Sequence, residues 1–151
     1  MGDGGRLEKI WIKRARRGPM DPRASARAVA GAGLEGNADQ GGNRQITIIS
    51  VESWADAAAE VAGEPDPVLR RANLLVSGVD LAHSRGQTLR VGDLPILIHG
   101  ETRPCERMEE GHAGLRAALA PDWRAGAYGQ VLADGEIRLG DEARWLEPEP
   151  D

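Results

Sequence analysis

The chain has very little cysteine and lysine, and no long apolar run. Its single cysteine, Cys105, excludes an internal disulfide and a four-cysteine zinc site. The only lysines, Lys9 and Lys13, are the two candidates for covalent chemistry through a Schiff base. No apolar run approaches the roughly 20 residues of a membrane-spanning helix, and the first residues lack the apolar stretch of a signal peptide. We therefore expect a cytoplasmic protein that does not enter membranes.

Aromatic residues are also scarce, with four tryptophans, one tyrosine and no phenylalanine. The hydrophobic core must therefore consist mainly of Val, Ile, Leu and Ala. The net charge of −5 argues against a non-specific nucleic-acid binder, which needs a basic surface. Seventeen of the nineteen basic residues are arginines. The planar guanidinium group binds phosphates and carboxylates through paired hydrogen bonds, so anionic ligands suit this composition.

Short strands joined by tight turns dominate the 151 residues. This pattern predicts a mainly β domain, a closed or nearly closed barrel with two or three inserted helices, rather than a parallel sheet with regular strand and helix alternation. We expect one domain over residues 1–146, followed by a polar tail at 147–151. The predicted strands are residues 7–12, 46–51, 73–76, 88–91, 95–99, 128–133, 136–139 and 143–146.

Capping and turn residues indicate where the helices and hairpins lie. Ser53, with Asp56 three residues later, predicts the start of one helix. Asp66 followed by Pro67 predicts a second, short helix, and residues 113–120 predict a third. Asp134-Gly135 is a strong two-residue turn, so we expect the strands on either side of it to form a hairpin.

Two segments are candidate anion sites. Residues 31–45 contain five glycines, and Arg44 lies just ahead of the predicted buried strand at 46–51. This segment matches neither the P-loop nor the dinucleotide-binding fingerprint, so it is either a surface loop or a binding loop. Residues 14–17 form a basic cluster that is either a solvated loop or an anion contact.

Cys105 lies in the most chemically varied segment, residues 99–112. A lone cysteine is often a small buried hydrophobe. Its charged neighbours, among them Arg103 and Arg107, are costly to bury, so we expect an exposed thiol beside a cleft. A Cys–His protease dyad or a zinc site is possible in composition, but the spacing supports neither. The candidate histidines are His83, His99 and His112.

Four ordered segments around the cysteine resemble the MOSC domain family, named after the C-terminal part of molybdenum cofactor sulfurase. One departure is visible, because the family usually has an acidic residue where Asn37 stands, and Asp39 is the nearby acid. The similar segments are GAGLEGNADQGGNRQITIIS at 31–50, RRANLLVSGVDL at 70–81, GETRPCERM at 100–108 and WRAGAYGQVLADGEIRLGD at 123–141.

The resemblance implies a barrel-like fold that binds a molybdenum cofactor, a pterin dithiolene with a phosphate or nucleotide end. Cys105 corresponds to the family's cysteine, which implies a catalytic or metal-ligating thiolate or a carrier of sulfur. We expect Arg44, Arg71, Asn73 and Arg124 to converge on one cleft. The residues implied in cofactor binding are Arg44, Arg71, Asn73, Gly78, Thr102, Arg103, Arg124 and Tyr128.

The resemblance leaves three functions open. The first is an enzyme that reduces N-hydroxylated or N-oxygenated small molecules with electrons from a partner reductase. The second is a non-catalytic carrier of the cofactor, or of a persulfide on Cys105 supplied by a partner desulfurase. The third is an interaction module without the cofactor. We expect no pyridoxal phosphate in this chain, because the family's desulfurase domain requires several hundred additional residues and a Schiff-base lysine.

Overall fold

The computed structural model describes residues 4–147, so the predicted polar tail lies outside the described residues except for the exposed Glu147. A short 3-10 helix spans Pro67–Arg70. The α-helices are α1 (Val51–Ala58), α2 (Glu106–Gly111) and α3 (Leu115–Ala118). The strands are β1 (Gly5–Lys13), β2 (Met20–Arg23), β3 (Ser25–Val29), β4 (Gly33–Leu34), β5 (Ile46–Ser50), β6 (Leu74–Ser77), β7 (Thr88–Val91), β8 (Leu94–Glu101), β9 (Ala127–Val131), β10 (Gly135–Arg138) and β11 (Glu142–Trp145).

Seven strands close into a barrel in the order β1-β11-β7-β8-β9-β5-β6, with β6 pairing back to β1. Strands β5 and β6 are parallel, and the other neighbours in the barrel are antiparallel. Strand β2 pairs with the end of β1, and β10, β3 and β4 form a separate three-stranded sheet. The predicted fold class, a mainly β barrel with few helices, is therefore confirmed.

The core is aliphatic, as the composition predicts, and it has two parts. Along β8 the residues alternate between buried and half-buried, because successive side chains of a strand point to opposite faces. Inward side chains such as Ile48, Leu74 and Ile96 fill the barrel. A second cluster outside the barrel wall joins β5 to the helices and includes Trp54 and Leu115. The helices therefore cover one outer face of the barrel.

Helix α1 begins earlier than predicted. Ser50, the last residue of β5, is the N-cap, and its side-chain oxygen accepts a hydrogen bond from the backbone N–H of Ser53 at 3.0 Å. The prediction that Ser53 caps the helix was wrong because Ser50 satisfies the same requirement three residues earlier. The strand thus continues directly into the helix.

The predicted hairpin at Asp134-Gly135 is wrong, although strands lie on both sides of the turn. Strand β9 pairs with β5 and β8, whereas β10 pairs with β3 in the other sheet. The Asp134 carboxylate accepts a hydrogen bond from the backbone N–H of Ala30 at 2.8 Å. This contact connects the turn to a distant part of the chain, so strong turn residues here change sheets instead of forming a hairpin.

The helical region after β8 also differs from the prediction. The predicted helix at 113–120 is only the short α3, because Gly114 directly before it has a left-handed φ of 86°. Helix α2 was not predicted, since its charged sequence has little apolar periodicity. Within residues 4–147, no helix has the length and hydropathy needed to span a membrane.

Candidate functional site

A buried threonine fixes the start of the loop that carries Cys105. Thr102 is 0% exposed, and its backbone N–H donates to the carbonyl of Gly126 at 3.0 Å. Its hydroxyl donates to the carbonyl of Ala125 at 2.8 Å. Both acceptors lie just before β9, so these bonds hold the loop against the outer wall of the barrel. Thr102 therefore positions the cysteine loop through these two hydrogen bonds to backbone carbonyls.

Cys105 is a free, solvent-exposed thiol at the N-terminal end of α2. Its backbone N–H donates to the Met108 sulfur at 3.2 Å, and its own sulfur lies 3.7 Å from the same atom. The exposure predicted from its charged neighbours is found. The thiol is thus within reach of a ligand or of another protein.

Arg70 is a buried cation beside Cys105 that sequence reasoning did not select. The side chain is 3% exposed, and its Nε donates to the Ala125 carbonyl at 2.6 Å. Burial, together with the positive charge of Arg44, lowers the pKa of Arg70 to about 10, while Cys105 acts in the opposite direction. The group is still a cation at neutral pH. Its buried Nη2 atom has no hydrogen-bond partner among the residues that the structure describes.

Arg71 and Arg107 line a cleft on the same side of the domain, with a volume of about 420 Å³. Nη2 of Arg71 donates to the carbonyl of Gly18 at 2.7 Å, and Nη2 of Arg107 donates to that of Arg17 at 3.2 Å. Burial and the charge of Arg107 both lower the pKa of Arg71, and Cys105 opposes this shift. Residues 16–18, at the end of the basic cluster, therefore orient two site arginines through their backbone carbonyls.

Arg44 and Tyr128 form the other side of the site. The Arg44 guanidinium lies over the Tyr128 ring, 5.5 Å from its centroid, which is a cation–π contact. Tyr128 lies against Gly100 on the neighbouring strand, where an added Cβ would come within 3.0 Å of the tyrosine hydroxyl. The glycine thus leaves room for the ring, and the ring supports an otherwise exposed arginine.

Asn73 lies beneath the site in a buried hydrogen-bond network and is 3% exposed. Its side-chain oxygen accepts from the backbone N–H of Thr47 at 3.1 Å. Its amide nitrogen donates to the Trp11 carbonyl at 3.1 Å and to the Asn37 side-chain oxygen at 3.0 Å. These bonds connect β1, β5 and the glycine-rich segment. The geometry therefore gives Asn73 a role in holding the wall of the site together.

Replacing Asn73 with alanine should lower the free energy of unfolding by about 3 kcal/mol, because it leaves the Thr47 N–H and the Trp11 carbonyl buried without partners. Urea denaturation measures this change. Asn43→Ala, in the exposed glycine-rich segment, is the matched control and should cost less than about 0.5 kcal/mol. Equal stability of the two variants would show that the network contributes nothing.

Three of the predicted binding residues have contacts elsewhere. Gly78 lies at the far end of β6 from Arg71, and its N–H is bound by the carboxylate of Glu52. Nη1 of Arg124 makes an ion pair with Glu60 at 2.5 Å and donates to the Ala118 carbonyl. Arg103 is exposed and lines a different cleft of about 500 Å³. The expected convergence of Arg44, Arg71, Asn73 and Arg124 on one cleft stays a prediction: Arg71 lines the cleft of about 420 Å³, Arg44 lies over Tyr128, and the contacts of Arg124 lead to α3.

The three histidines are dispersed. His83 pairs with Asp122 at 2.6 Å, His99 with Gln130 at 2.6 Å, and His112 with the Ala62 carbonyl at 2.5 Å. Within the described range, residues 4–147, no group of three His, Cys, Asp or Glu side chains is placed to hold a metal ion. The geometry therefore offers no support for a Cys–His dyad or a zinc site.

The site described above lies in a region that matches a known family model. Residues 35–144 match the model of the MOSC domain. The chain belongs to the MOSC domain family. The family is associated with binding of the molybdenum cofactor. The matched region includes Cys105 and every arginine of the site.

Solved structures share the fold of this MOSC domain. The YuaD protein from Bacillus subtilis has a TM-score of 0.80 and 21% identity, over 93% of this chain and 94% of that one. YiiM from Geobacillus stearothermophilus has a TM-score of 0.75 and 17% identity, over 95% of this chain and 75% of that one. YiiM from Escherichia coli has a TM-score of 0.65 and 17% identity, over 97% and 72%. A comparison with curated protein sequences finds no match.

Asn37 stands at the position where the resemblance leads us to expect an acidic residue. Its side-chain oxygen accepts from the backbone N–H of Lys13 at 2.9 Å and from Asn73, which are bonds that a carboxylate also makes. The Nδ2 atom of Asn37 is buried and has no hydrogen-bond partner in the described part of the chain, residues 4–147. Asp39 is occupied in an ion pair with Lys13 at 3.0 Å, so it does not substitute for the missing acid.

Proposed function

We propose that the protein binds a molybdenum cofactor at the surface around Cys105, with the cysteine thiolate as the ligand to the metal. The observation that carries this proposal is an exposed thiol beside a buried arginine, Arg70, whose Nη2 has no partner within residues 4–147. Arg71 is close enough to Cys105 for the two groups to interact, and Arg44 adds positive charge near Arg70. This concentration of cations occurs in a chain whose net charge is −5.

The residues present fit such a cofactor. Its phosphate end is anionic, and arginines bind phosphate through charge-assisted, paired hydrogen bonds. Its metal is already held by dithiolene sulfurs, and a soft thiolate such as that of Cys105 suits a sulfur-rich metal. When bound, the cofactor would supply redox chemistry at the metal. The chain itself would hold the anionic end with arginine and orient the cysteine loop through Thr102.

We further propose that the protein, with the cofactor bound, reduces N-hydroxylated or N-oxygenated small molecules. The cleft beside the site, about 420 Å³, is large enough for a small molecule. It combines apolar walls, including Val68 and Leu69, with the guanidinium groups of Arg71 and Arg107, so it suits a polar molecule with an apolar part. The sequence has no flavin or iron–sulfur motif, so the electrons would come from a partner reductase. The cytoplasmic setting is part of this proposal.

The exposure of Cys105 also favours a second candidate function, that of a carrier. The Cys105 thiolate can attack the outer sulfur of a persulfide on a partner desulfurase, which forms a new S–S bond on Cys105 and releases the partner's cysteine thiolate. The resulting persulfide can pass its outer sulfur on by the same exchange, without catalysis by this chain. The same arginines would then hold the cofactor for its delivery to another protein.

The deciding experiment measures molybdenum in protein purified from a host that makes the cofactor. We expect about one molybdenum per chain, because the site offers one metal-binding thiolate. Protein from a host that lacks the cofactor is the control. Oxidation of a reduced electron donor by an N-hydroxylated substrate would support the reductase. Molybdenum or a persulfide on Cys105 without such activity would support the carrier, and the absence of both would leave an interaction module.

A comparison of two arginines tests the arrangement of the site. Arg71→Ala should reduce the molybdenum retained after dialysis by about tenfold or more, since one charge-assisted bond contributes about 1.5–3 kcal/mol. Arg124→Ala should reduce it far less, because its guanidinium already pairs with Glu60. Molybdenum content and circular dichroism are measured for both variants. Equal losses would place Arg124 in the cofactor site after all.

A further inference from the structure

A groove of about 500 Å³ lies on the opposite face of α2 from the cleft of about 420 Å³ described above. Arg107 and Gly111 of α2 line that cleft, whereas Glu109 lines the groove. In a helix with 3.6 residues per turn, Glu109 points away from the other two residues, so α2 separates the groove from the cleft. We call it the α2–α3 groove, and its lining residues are Arg103, Pro104, Glu109, Arg116, Ala117 and Ala120.

The rim of the α2–α3 groove is positively charged. Arg103 and Arg116 are exposed there, and neither forms an ion pair within residues 4–147. The acid of the groove, Glu109, accepts backbone N–H groups of Gly114 and Arg116 at 2.9 and 3.3 Å, so its carboxylate is bound to the start of α3. The groove therefore presents two uncompensated cations on a chain of net charge −5, and acidic ligands are attracted to it.

The floor of the groove is apolar and shallow. Pro104 is half-buried, and Ala117 and Ala120 are exposed, because the larger apolar side chains of α3 point into the protein. A small molecule binds in a pocket that covers most of its surface, so a shallow groove with an apolar floor and a charged rim suits a segment of another protein better. Pro104 is bonded to Cys105, whose Cα lies about 3.8 Å further along the chain. A protein in the groove therefore lies beside the exposed thiol.

We infer that the α2–α3 groove binds an acidic segment of the protein that delivers sulfur to Cys105. Carboxylates of that segment pair with Arg103 and Arg116 at the rim, and an apolar side chain between them covers the floor. Sulfur transfer requires such docking, because the new S–S bond of about 2.05 Å forms only when the donor's outer sulfur reaches the Cys105 thiolate. The inference rests on the carrier function proposed above and adds the surface and the charge of the partner.

The test uses the full chain from a host that lacks the cofactor and two synthetic peptides. One peptide has glutamates and a leucine around a single cysteine, and the other has glutamines in place of the glutamates. The cysteine of each peptide is held in a mixed disulfide with thionitrobenzoate. The Cys105 thiolate attacks the peptide sulfur, a new S–S bond forms, and thionitrobenzoate leaves with the electron pair of the broken bond. Its absorbance gives the rate, and Cys105 is the only cysteine of the chain.

The acidic peptide should react with the native protein about threefold faster or more than the glutamine peptide at low salt, because opposite charges accelerate association. The two rates should converge at about 1 M salt, which screens exposed charges. Arg116→Gln should slow the acidic peptide and leave the glutamine peptide unchanged, whereas Arg116→Lys should keep most of the difference. Arg138→Gln removes an exposed charge from β10, where Arg138 pairs with Glu136, and should change neither rate.

Equal rates of the two peptides with the native protein, or an equal loss in Arg138→Gln, would overturn the docking surface. Slowing of both peptides by Arg116→Gln would overturn it too, since that result means a less reactive thiol. Ala117→Glu places an acid on the floor and should abolish the preference for the acidic peptide. Mass spectrometry of the purified protein tests the carrier function separately. A persulfide on Cys105 without any peptide preference would refute the groove alone, whereas a preference in protein that never carries a persulfide would overturn the assignment of the partner as a sulfur donor.

Discussion

Replacing Cys105 with serine should remove molybdenum from the protein and leave its folding intact. A serine hydroxyl is a hard, neutral oxygen at neutral pH, whereas a soft metal with sulfur ligands requires a thiolate. We expect the molybdenum content to fall by about tenfold or more. Loss of a group that only supports a metal ligand lowers the metal affinity by about 10-fold to 100-fold, and loss of the ligand itself should lower it at least as much. Because the side chain is exposed, the free energy of unfolding should change by less than about 1 kcal/mol.

The measurements are metal analysis and urea denaturation on the same preparations. Cys105→Ala is the companion variant, and it should behave like Cys105→Ser if the sulfur itself is what matters. Reaction of the native protein with a thiol reagent checks that the sulfur is accessible. Full molybdenum content in Cys105→Ser would rule out the metal-ligand role, and a large loss of stability would show that the thiol acts as a core residue.

Gly126→Ala should destabilise the whole domain severely. Gly126 has a φ of 105°, and an added Cβ would lie 2.1 Å from the carbonyl oxygen of Ile48 on β5. Backbone atoms of a central strand cannot move away cheaply, so we expect a loss of about 4 kcal/mol or more. This is a large part of the roughly 5–15 kcal/mol that stabilises a domain. The melting temperature should fall by about 10 °C or more, as measured by thermal denaturation.

Gly140→Ala is the matched control for the effect of close contact. Gly140 also has a left-handed φ, 91°, but nothing lies within 4 Å of an added Cβ. The free energy of unfolding of Gly140→Ala should therefore fall only by the cost of placing alanine in a left-handed conformation, about 1–2 kcal/mol. A similar small loss in Gly126→Ala would mean that β5 and the segment before β9 can separate without cost. Since Gly126 also accepts the Thr102 N–H, a surviving Gly126→Ala protein should retain less molybdenum.

Eight strands were placed close to their observed positions from the sequence because their signals are local, whereas β2, β3 and β4 were not predicted. The strands at 88–91 and 95–99 were predicted, and the structure pairs them as neighbours, β7 and β8, across the turn at Gly92-Asp93. The same reasoning was wrong at Asp134-Gly135, where the pairing partner of β10 is β3, more than 100 residues earlier. Turn residues determine only how the chain changes direction locally. The pairing of a strand depends on which sheet edge, formed by residues far away in the sequence, lies beside it.

The candidate site divides in the same way. The motifs around Cys105, Arg44 and Tyr128 were recognisable, and the structure shows an exposed thiol and an arginine over the tyrosine ring. Arg70 and Arg71 are adjacent in the sequence, and no sequence pattern indicates that Arg70 is the buried residue of the two. The 3-10 helix ends at Arg70, and Arg71 adopts a left-handed conformation there, so the two side chains leave the chain in different directions.

By itself, the sequence determined the aliphatic core, the strand-rich class and the family to which the chain belongs, because composition, periodicity and motifs are properties of short segments. The tertiary structure decided the closure of the barrel by β1 and β11, the burial of Arg70 and the pairing of Arg124 with Glu60. These features depend on contacts between residues far apart in the chain. The charge, hydrogen bonding and exposure of a side chain are set by such neighbours, so the chemistry of the site becomes readable only when the chain is folded.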